Sequence, residues 1–314
     1  FTMKKLSFLI PAHNEEKIIF QALNNLSTLH YQHYEVLVGL DGCTDRTPTI
    51  VGEFVSKNPK IFKSYVINTR QGKPAVIDAL MTYVTGDIII IHDADWIFKV
   101  NDHSLFLEMI SWFDDLSLGG VAESFPIEFD EHLKKRSLVF NSVAWSHYFW
   151  FEYQKKKFTK RKDERLYIDK EKMSFPFLTN IYRRSLYKKN TTLADDFERT
   201  LDILQRGYDI IVLSNAYYPR MVTSYHAITL HDVYKQKKRT AIARKQLFSK
   251  YHLKTNFLAY YFGLFVFMLR NIGKTRSLKG FFGVVLWFVI MGFSIIKPKK
   301  NTSTKEGWLL RVAR

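Results

Sequence analysis

Two carboxylates two residues apart, Asp93 and Asp95, follow a run of four isoleucines, Ile88 to Ile91, within the stretch Gly86 to Ile97. Held close together they repel unless a cation lies between them. Hard oxygen ligands of this kind suit Mg2+ or Mn2+ bridging to substrate phosphates. The isoleucine run is too short for a buried helix and is rich in β-branched side chains, so it predicts a strand covered on both faces. If the extended backbone persists through His92 to Asp95, both carboxylates leave one face at the carboxyl end of the strand. Ligands bind at that end of an open α/β sheet. An acidic turn capping the next helix is the plainer alternative.

The segments around this stretch alternate in period. LSFLI predicts a buried strand, and the loop and helix after it carry Ile18, Ile19, Ala22, Leu23 and Leu26 at helical spacing. YEVLVGL predicts a second strand, followed by a helix through Val55 with Thr44 or Asp45 as its cap. FKSYVIN predicts a third strand, and TRQGKPAVIDALMTYV a Gly-Lys loop opening a third helix. This rhythm predicts an α/β fold with a mostly parallel sheet wound in right-handed crossovers. Short strands are expected from Leu118 to Phe129. Further on, LADDFERTLDILQRGYDIIVL predicts a helix ended by Gly207 and then a strand.

Charge is divided unevenly along the 314 residues. Residues 1–130 hold 10 Lys and Arg against 17 Asp and Glu, whereas residues 131–314 hold 37 against 13. The basic half also carries the most apolar segments, which points to an anionic membrane face more than to nucleic acid. The single cysteine, Cys43, excludes a disulfide within the chain and fits a reducing compartment. Met3-Lys4-Lys5 leads straight into a strand, so no secretory signal is expected, and Phe1-Thr2 reads as a cloning remnant.

From about Leu133, aromatic residues including Trp145, Trp150 and Tyr153 stand between basic clusters. They suit a membrane interface or, equally, a helix packed on the sheet. KKKFTKRKDER predicts an exposed, mobile loop, and QKKRTAIARKQLFSKYHLK a basic amphipathic helix. Phe257–Leu269 and Phe281–Ile296 are apolar all round yet short of the roughly 20 residues a span wants. Crossing as a hairpin would leave the basic connector RNIGKTRSLK outside, against the positive-inside tendency. Two helices lying in the cytoplasmic leaflet are therefore expected, with a full span by the second as the alternative. Burial in a homo-oligomer interface is the other use of such a tail.

Six strings in order, PAHNEE, DGCTDRT, RQGKP, HDAD, LADDFERTLDILQRGYDI and QKKRT, resemble the inverting glycosyltransferases of family 2 with the GT-A fold. The last resembles the Gln-x-x-Arg-Trp motif of membrane-bound members. The resemblance implies a catalytic domain over 3–250, divided into a nucleotide-sugar and metal half, 3–130, and an acceptor half, 131–250. Membrane-associated helices then occupy 251–314. It implies that Pro11, Ala12, His13 and Glu15 border the nucleotide, and that Asp41 accepts the ring N–H of uracil. Lys73 then reaches a phosphate, Asp93 meets the ribose or the metal, and Asp95 ligates a divalent Mg2+ or Mn2+ ion. Asp196 becomes the general base, with Asp195 raising its pKa by repulsion or merely capping the helix. Arg239 clamps the donor pyrophosphate with Gln236 nearby.

The sequence departs from that motif at Thr240, where the pattern has Trp. A threonine cannot stack on an acceptor sugar, which argues against processive synthesis. The expectation is transfer of one sugar, from a UDP-sugar, to a lipid or polyprenyl-linked acceptor at the cytoplasmic side of the cell membrane. Two rivals differ in class: a transferase with a soluble or surface-polymer acceptor, and a non-enzymatic basic protein binding anionic membrane or nucleic acid. The carboxylates at Asp93, Asp95 and Asp196 argue against the second, because they repel phosphate in the absence of a metal, and no nucleic-acid partner is expected. Since every implied catalytic residue precedes Lys254, the region beyond it is expected to serve only as an anchor.

Overall fold

In the computed structural model, which describes residues 3–123, 137–172, 177–213, 217–222, 229–253 and 256–296, strand and helix alternate through the first half. β1 (Leu6–Ala12), α1 (Ile19–Ser27), β2 (Tyr34–Asp41), α2 (Thr47–Lys57), β3 (Phe62–Ile67), α3 (Lys73–Met81) and β4 (Ile88–Ile91) follow in turn. Next come β5 (Ile97–Lys99), α4 (His103–Ser111), β6 (Leu118–Glu123), α5 (Leu138–Phe158), β7 (Thr159–Lys162) and β8 (Arg165–Ile168). β9 (Leu178–Arg183), α6 (Asp195–Gln205), β10 (Asp209–Val212), β11 (Arg220–Val222), α7 (Leu230–Tyr251), α8 (Phe257–Asn271) and α9 (Leu278–Ile296) complete the order.

The main sheet runs β3-β2-β1-β4-β9-β6-β10-β8-β7. β1 pairs parallel with β2 and β4, β2 with β3, and β10 with β6, whereas β9 and the β7–β8 hairpin run antiparallel. Strand order reverses at β1, since β2 and β3 lie to one side of it and β4 to the other. Crossovers leaving in opposite directions open a crevice at the carboxyl ends of β1 and β4.

Both faces of the sheet are covered, as the isoleucine run predicts. Phe8, Ile10, Ile88 and Ile90 pack with Leu23 of α1 and Phe106 of α4. Leu9, Ile89 and Ile91 belong to a second cluster with Val76 of α3, Leu201 of α6 and Leu247 of α7. Neighbouring residues of one strand therefore serve opposite layers. In α1 the buried positions are Ile19, Ala22, Leu23 and Leu26, the helical stripe expected of them.

Several expectations need correction. α2 starts at Thr47 behind Arg46, with no side-chain cap; Asp45 instead accepts the Thr47 N–H at 2.9 Å from one residue further out. KKKFTKRKDER is not a loop: it forms the end of α5, all of β7 and the turn into β8. Asp163 and Glu164 both have positive φ, 47° and 65°, which closes the two-residue turn demanded by the strand twist. Lys160 and Lys162 lie on an edge strand, where charge discourages pairing with other chains. Among the short strands expected from Leu118 to Phe129, β6 ends at Glu123, and the remainder falls outside the described residues. The aromatic segment is a helix packed on the domain, with Phe149, Phe151 and Tyr153 buried.

α8 and α9 share the core cluster of the sheet's second face through Tyr260, Leu264, Met268, Val284, Trp287 and Met291. A Cβ at Gly283 would lie 2.8 Å from the Ser142 backbone nitrogen, so only glycine lets α9 approach α5 this closely. The opposite stripes are apolar too and stand exposed: Leu258, Phe262, Phe265 and Leu269 on α8, and Leu278, Phe282, Val285 and Val289 on α9. Among the described residues, no helix is long and apolar enough to cross a membrane, so the expected transmembrane alternative finds no support.

Candidate active site

One cavity of about 270 Å3 lies over the β1–β4 crevice and is lined by Pro11, Ala12, His13, Glu15, Asp41 and Lys73 from the first half of the chain. Asp93, Asp95, Asp195 and Asp196 line it further along, and α7 contributes Gln236, Arg239 and Thr240. The cavity thus brings together every candidate site residue named from the sequence.

The loops after the strands are tied to one another. The His13 Nδ1 lies 2.6 Å from the Asp41 carbonyl oxygen, and the Glu15 N–H donates to Thr47 Oγ1 at 2.7 Å. Asp41, at the end of β2, accepts the backbone N–H groups of Gln71 and Gly72 at 2.6 and 2.8 Å. Its carboxylate therefore shapes the Gly-Lys loop, while each oxygen retains a second acceptor site.

Asp93 and Asp95 reach the cavity by a route that strand alternation does not describe. β4 stops at Ile91, and the Trp96 N–H donates to the Asp93 carbonyl at 3.1 Å, so Asp93 to Trp96 form a turn. Both carboxylates line the cavity because the chain bends there, not because it stays extended. Asp93 Oδ1 is bound by Lys73 Nζ at 2.9 Å. Among the described residues, no group of three His, Cys, Asp or Glu could cage a metal alone. Two hard carboxylates in an open cavity fit a divalent ion that completes its shell with phosphate and water oxygens.

Lys73, the first residue of α3, also reaches Asp195 Oδ2 at 3.1 Å and so joins the two halves of the site. Burial opposes its charge, but Asp195 and Asp93 outweigh that and raise its pKa. Asp195 is buried, and burial alone would raise its pKa; Lys73 and Arg199 instead hold the carboxyl below its ordinary range. Asp196 moves the other way, to about 6, through burial first and then repulsion from Asp195. The helix is capped at Ala194 without a side-chain bond, so Asp195 serves as an ion-pair partner, not as a cap.

Sequence reasoning missed three buried residues behind these carboxylates. Arg199 donates to the Thr179 carbonyl at 2.7 Å and to Asn180 Oδ1 at 2.9 Å, and stands 3.5 Å from both Asp195 and Asp196. Glu123 accepts from the Met221 N–H at 2.7 Å and from Asn180 Nδ2 at 3.1 Å, and burial pushes it up to about 7. Glu198 accepts the backbone N–H groups of Thr191 and Thr192 and pairs with Lys250 of α7. For Arg199 and Glu198 the available signal was helical spacing, at i+4 and i+3 from Asp195; Glu123 carries no such mark.

On α7, Gln236, Arg239 and Ala243 form one stripe toward the cavity, and the Arg239 charge helps lower the pKa of Asp195. Thr240 Oγ1 donates back to the Gln236 carbonyl at 2.9 Å, so its hydroxyl is satisfied by the helix itself. Trp150 of α5 and Trp287 of α9 also line the cavity, and Trp150 Nε1 donates to the Tyr260 hydroxyl of α8 at 2.8 Å. The region beyond Lys254, expected to serve only as an anchor, therefore builds part of the site wall.

The description "Glycosyl transferase family 2" matches residues 7–189. A probable glycosyltransferase of Bacillus subtilis is 37% identical over 97 residues, 30% of this chain and 23% of that protein. A dolichyl-phosphate beta-glucosyltransferase of Trichomonas vaginalis is 31% identical over 107 residues, 31% of this chain and 32% of that protein. The matches thus span about a third or less of these curated relatives. A mannosyltransferase from Pyrobaculum calidifontis, solved in complex with GDP-Man and Mn2+, superposes with a TM-score of 0.55 at 16% identity. That superposition covers 95% of this chain and 77% of the other.

Proposed function

The chain belongs to glycosyl transferase family 2 and is a glycosyltransferase of GT-A-like α/β fold, and from that premise we propose that it moves a single sugar, with inversion, from a nucleotide sugar to a lipid acceptor at a membrane face. One observation carries the reading. Asp196, pushed up to about 6, shares a single cavity with the phosphate-side group of Lys73, Asp93 and Asp95. A base poised near neutral pH opposite a cation-and-carboxylate cluster suits displacement at an anomeric carbon.

In this reading the donor's base lies against Pro11, Ala12, His13 and Glu15. Asp41 supports a UDP-sugar as first choice through its remaining acceptor capacity. Asp95, with Asp93, would hold a divalent Mg2+ or Mn2+ ion, which when bound offsets charge on the departing diphosphate. Lys73 and Arg239 offset that charge from the protein side. Asp196 takes the proton of the acceptor hydroxyl as its oxygen bonds to the anomeric carbon. The bond from that carbon to the diphosphate oxygen breaks, and the electron pair leaves with the nucleotide. Thr240, its hydroxyl turned back on the helix, puts no indole at the position where the Gln-x-x-Arg-Trp motif has one, which supports a single transfer.

Support for a lipid acceptor and for the cytoplasmic membrane face lies in α8 and α9. Their exposed apolar stripes are joined by Arg270, Lys274, Arg276 and Lys279, all exposed, a composition suited to an anionic leaflet. The dolichyl-phosphate activity named for the Trichomonas relative points the same way. The test is incubation of purified protein and membranes with labelled UDP- and GDP-sugars followed by lipid extraction; GDP-sugars are included because the Pyrobaculum protein holds GDP-Man. Label confined to water-soluble product or polymer would reject the lipid acceptor.

A further inference from the structure

Glu123 and Asn180 lie behind the aspartates, buried and outside the cavity wall. Asn180 is an extra residue in its strand: Val121 of β6 pairs with Ile181 of β9 and Ala122 with Thr179, so no residue of β6 stands opposite it. A bulge of this kind gives up ladder pairing and re-aims one side chain. Here it brings Asn180 Nδ2 to 3.1 Å from Glu123 Oε2 and Asn180 Oδ1 to 2.9 Å from Arg199 Nη1. The other oxygen of Glu123 is held at 2.7 Å by the Met221 N–H of β11, and Arg199 stands 3.5 Å from both Asp195 and Asp196. Chemistry fixes the direction of this chain. A guanidinium has only donors, so the Asn180 oxygen must face Arg199; the amide hydrogens are then left for Glu123, whose ionised carboxyl only accepts.

We propose that Glu123 is a positioning residue for the base: through Asn180 it orients the Arg199 guanidinium against Asp195 and Asp196, and so fixes where the Asp196 carboxyl stands. This rests on the reading of Asp196 as the base and deepens it. Two observations favour it over a role in strand pairing alone. β6 and β9 are already joined by Gly120 with Tyr182 and Val121 with Ile181, which need no buried charge, whereas a buried carboxylate costs desolvation that strand pairing does not repay. The chain also runs unbroken from a backbone anchor to the base, with a donor meeting an acceptor at every step. An amide at position 123 would reverse it. Its NH2 would meet the Asn180 NH2, and Asn180 could relieve that only by turning its own NH2 onto Arg199, donor against donor. Glu123 itself exchanges no proton with substrate, since it stands outside the cavity wall.

The test uses the full chain at about pH 8.5, above the value of about 7 to which burial pushes Glu123 and above that of about 6 for Asp196, so that both are ionised. Glu123→Gln, Asn180→Asp and the two together are compared for turnover with labelled UDP- and GDP-sugars and membranes, for binding of UDP with Mn2+, and for melting temperature. Each single change mispairs the chain, donor against donor in the first and carboxylate against carboxylate in the second. The double change pairs it again, because the amide at position 123 donates to the new carboxylate, whose other oxygen accepts from Arg199. Turnover should fall about tenfold or more in either single variant, with UDP binding and the KM of the donor unchanged, and return to within about threefold of wild type in the double variant. Melting temperatures should follow the same non-additive order. The proposal is overturned if Glu123→Gln keeps wild-type turnover or if the double variant is no faster than the single ones. It is also overturned if the double variant recovers its melting temperature without turnover, which is a structural role alone. Wild-type turnover in Asp196→Asn, together with a non-additive melting cycle, supports the chain from Glu123 to Arg199 and instead refutes Asp196 as the base.

Discussion

Asp195 and Asp196 are neighbours on the first turn of α6, and their carboxyl groups are driven in opposite directions. Lys73 lies 3.1 Å from Asp195 and keeps it ionised, and that fixed negative charge then adds to burial in raising Asp196 to about 6. Two like side chains thereby acquire different work, one holding the halves of the site together and one able to accept a proton near neutrality.

Turnover should therefore fall as pH drops through about 6, where Asp196 gains its proton. Asp196→Asn should lower turnover by about a hundredfold to ten-thousandfold and abolish this acid limb. Because the folded-state pKa is raised above 3.8, ionising Asp196 weakens the fold as pH rises from about 3.8 to 6. The Asn variant should consequently melt higher at pH 7, by on the order of 2 kcal/mol. A lower melting temperature together with lost donor binding would make Asp196 structural.

Arg199 offsets both carboxylates from within the core. Arg199→Gln should raise the pKa of Asp196 further and move the acid limb of turnover upward. It should also destabilise the fold by about 3–5 kcal/mol, since a buried partner is removed. An unshifted limb in a folded variant would exclude Arg199 from positioning the base.

Asp95→Ala should abolish transfer and weaken binding of the nucleoside diphosphate in the presence of Mn2+. Chelator should have the same effect on wild type. Full wild-type activity in excess chelator contradicts a metal held by this turn.

Glu35, buried beneath the sheet's other end, accepts from the Thr85 N–H, Ser7 and Lys63; these bonds outweigh the burial that would raise its pKa and bring it down to about 2 from 4.5. A depressed carboxylate stabilises the fold above pH 4.5, and that contribution is lost as pH falls toward 2. Glu35→Gln should cost up to about 3 kcal/mol at pH 7 and flatten acid denaturation over this window. Titration of the melting temperature against pH in both proteins checks the difference.

Trp287→Ala should cost about 3–5 kcal/mol, because its ring is buried in the main core as well as in the cavity wall. A chain ending at Lys254 should fail to refold to a nucleotide-binding state, since residues of both C-terminal helices would be missing from that core. Recovery of donor hydrolysis from the truncated chain would show the helices to be a separable anchor.

Much of the cavity's β1–β4 side was legible beforehand because its cues are local: an isoleucine run, turn residues at strand ends, and acidic or basic residues beside them. Asp93, Asp95 and Lys73 could be found this way even though the turn at Asp93 to Trp96 replaced the expected extended strand. Glu123 and Asn180 could not, since their partnership depends on pairing of β6 with β9, more than fifty positions apart. The hairpin at Asp163-Glu164 was hidden by its charge, because lysine density marks disorder and protected sheet edges alike. The role of α9 was hidden by composition: a helix apolar on every side does not disclose which stripe meets the domain.

That helix has one further consequence. Trp287 forms wall on its inner side, while Phe282, Val285 and Val289 are bare on the outer side. Were the outer stripe to lie against lipid, as proposed above, the width of one helix, about 10 Å, would set the height of the reaction above the hydrocarbon boundary. Acceptors would then be screened by reach: the distance from the lipid's first methylene to its reactive oxygen has to match a ruler built from the protein's own backbone, whatever sugar is being transferred.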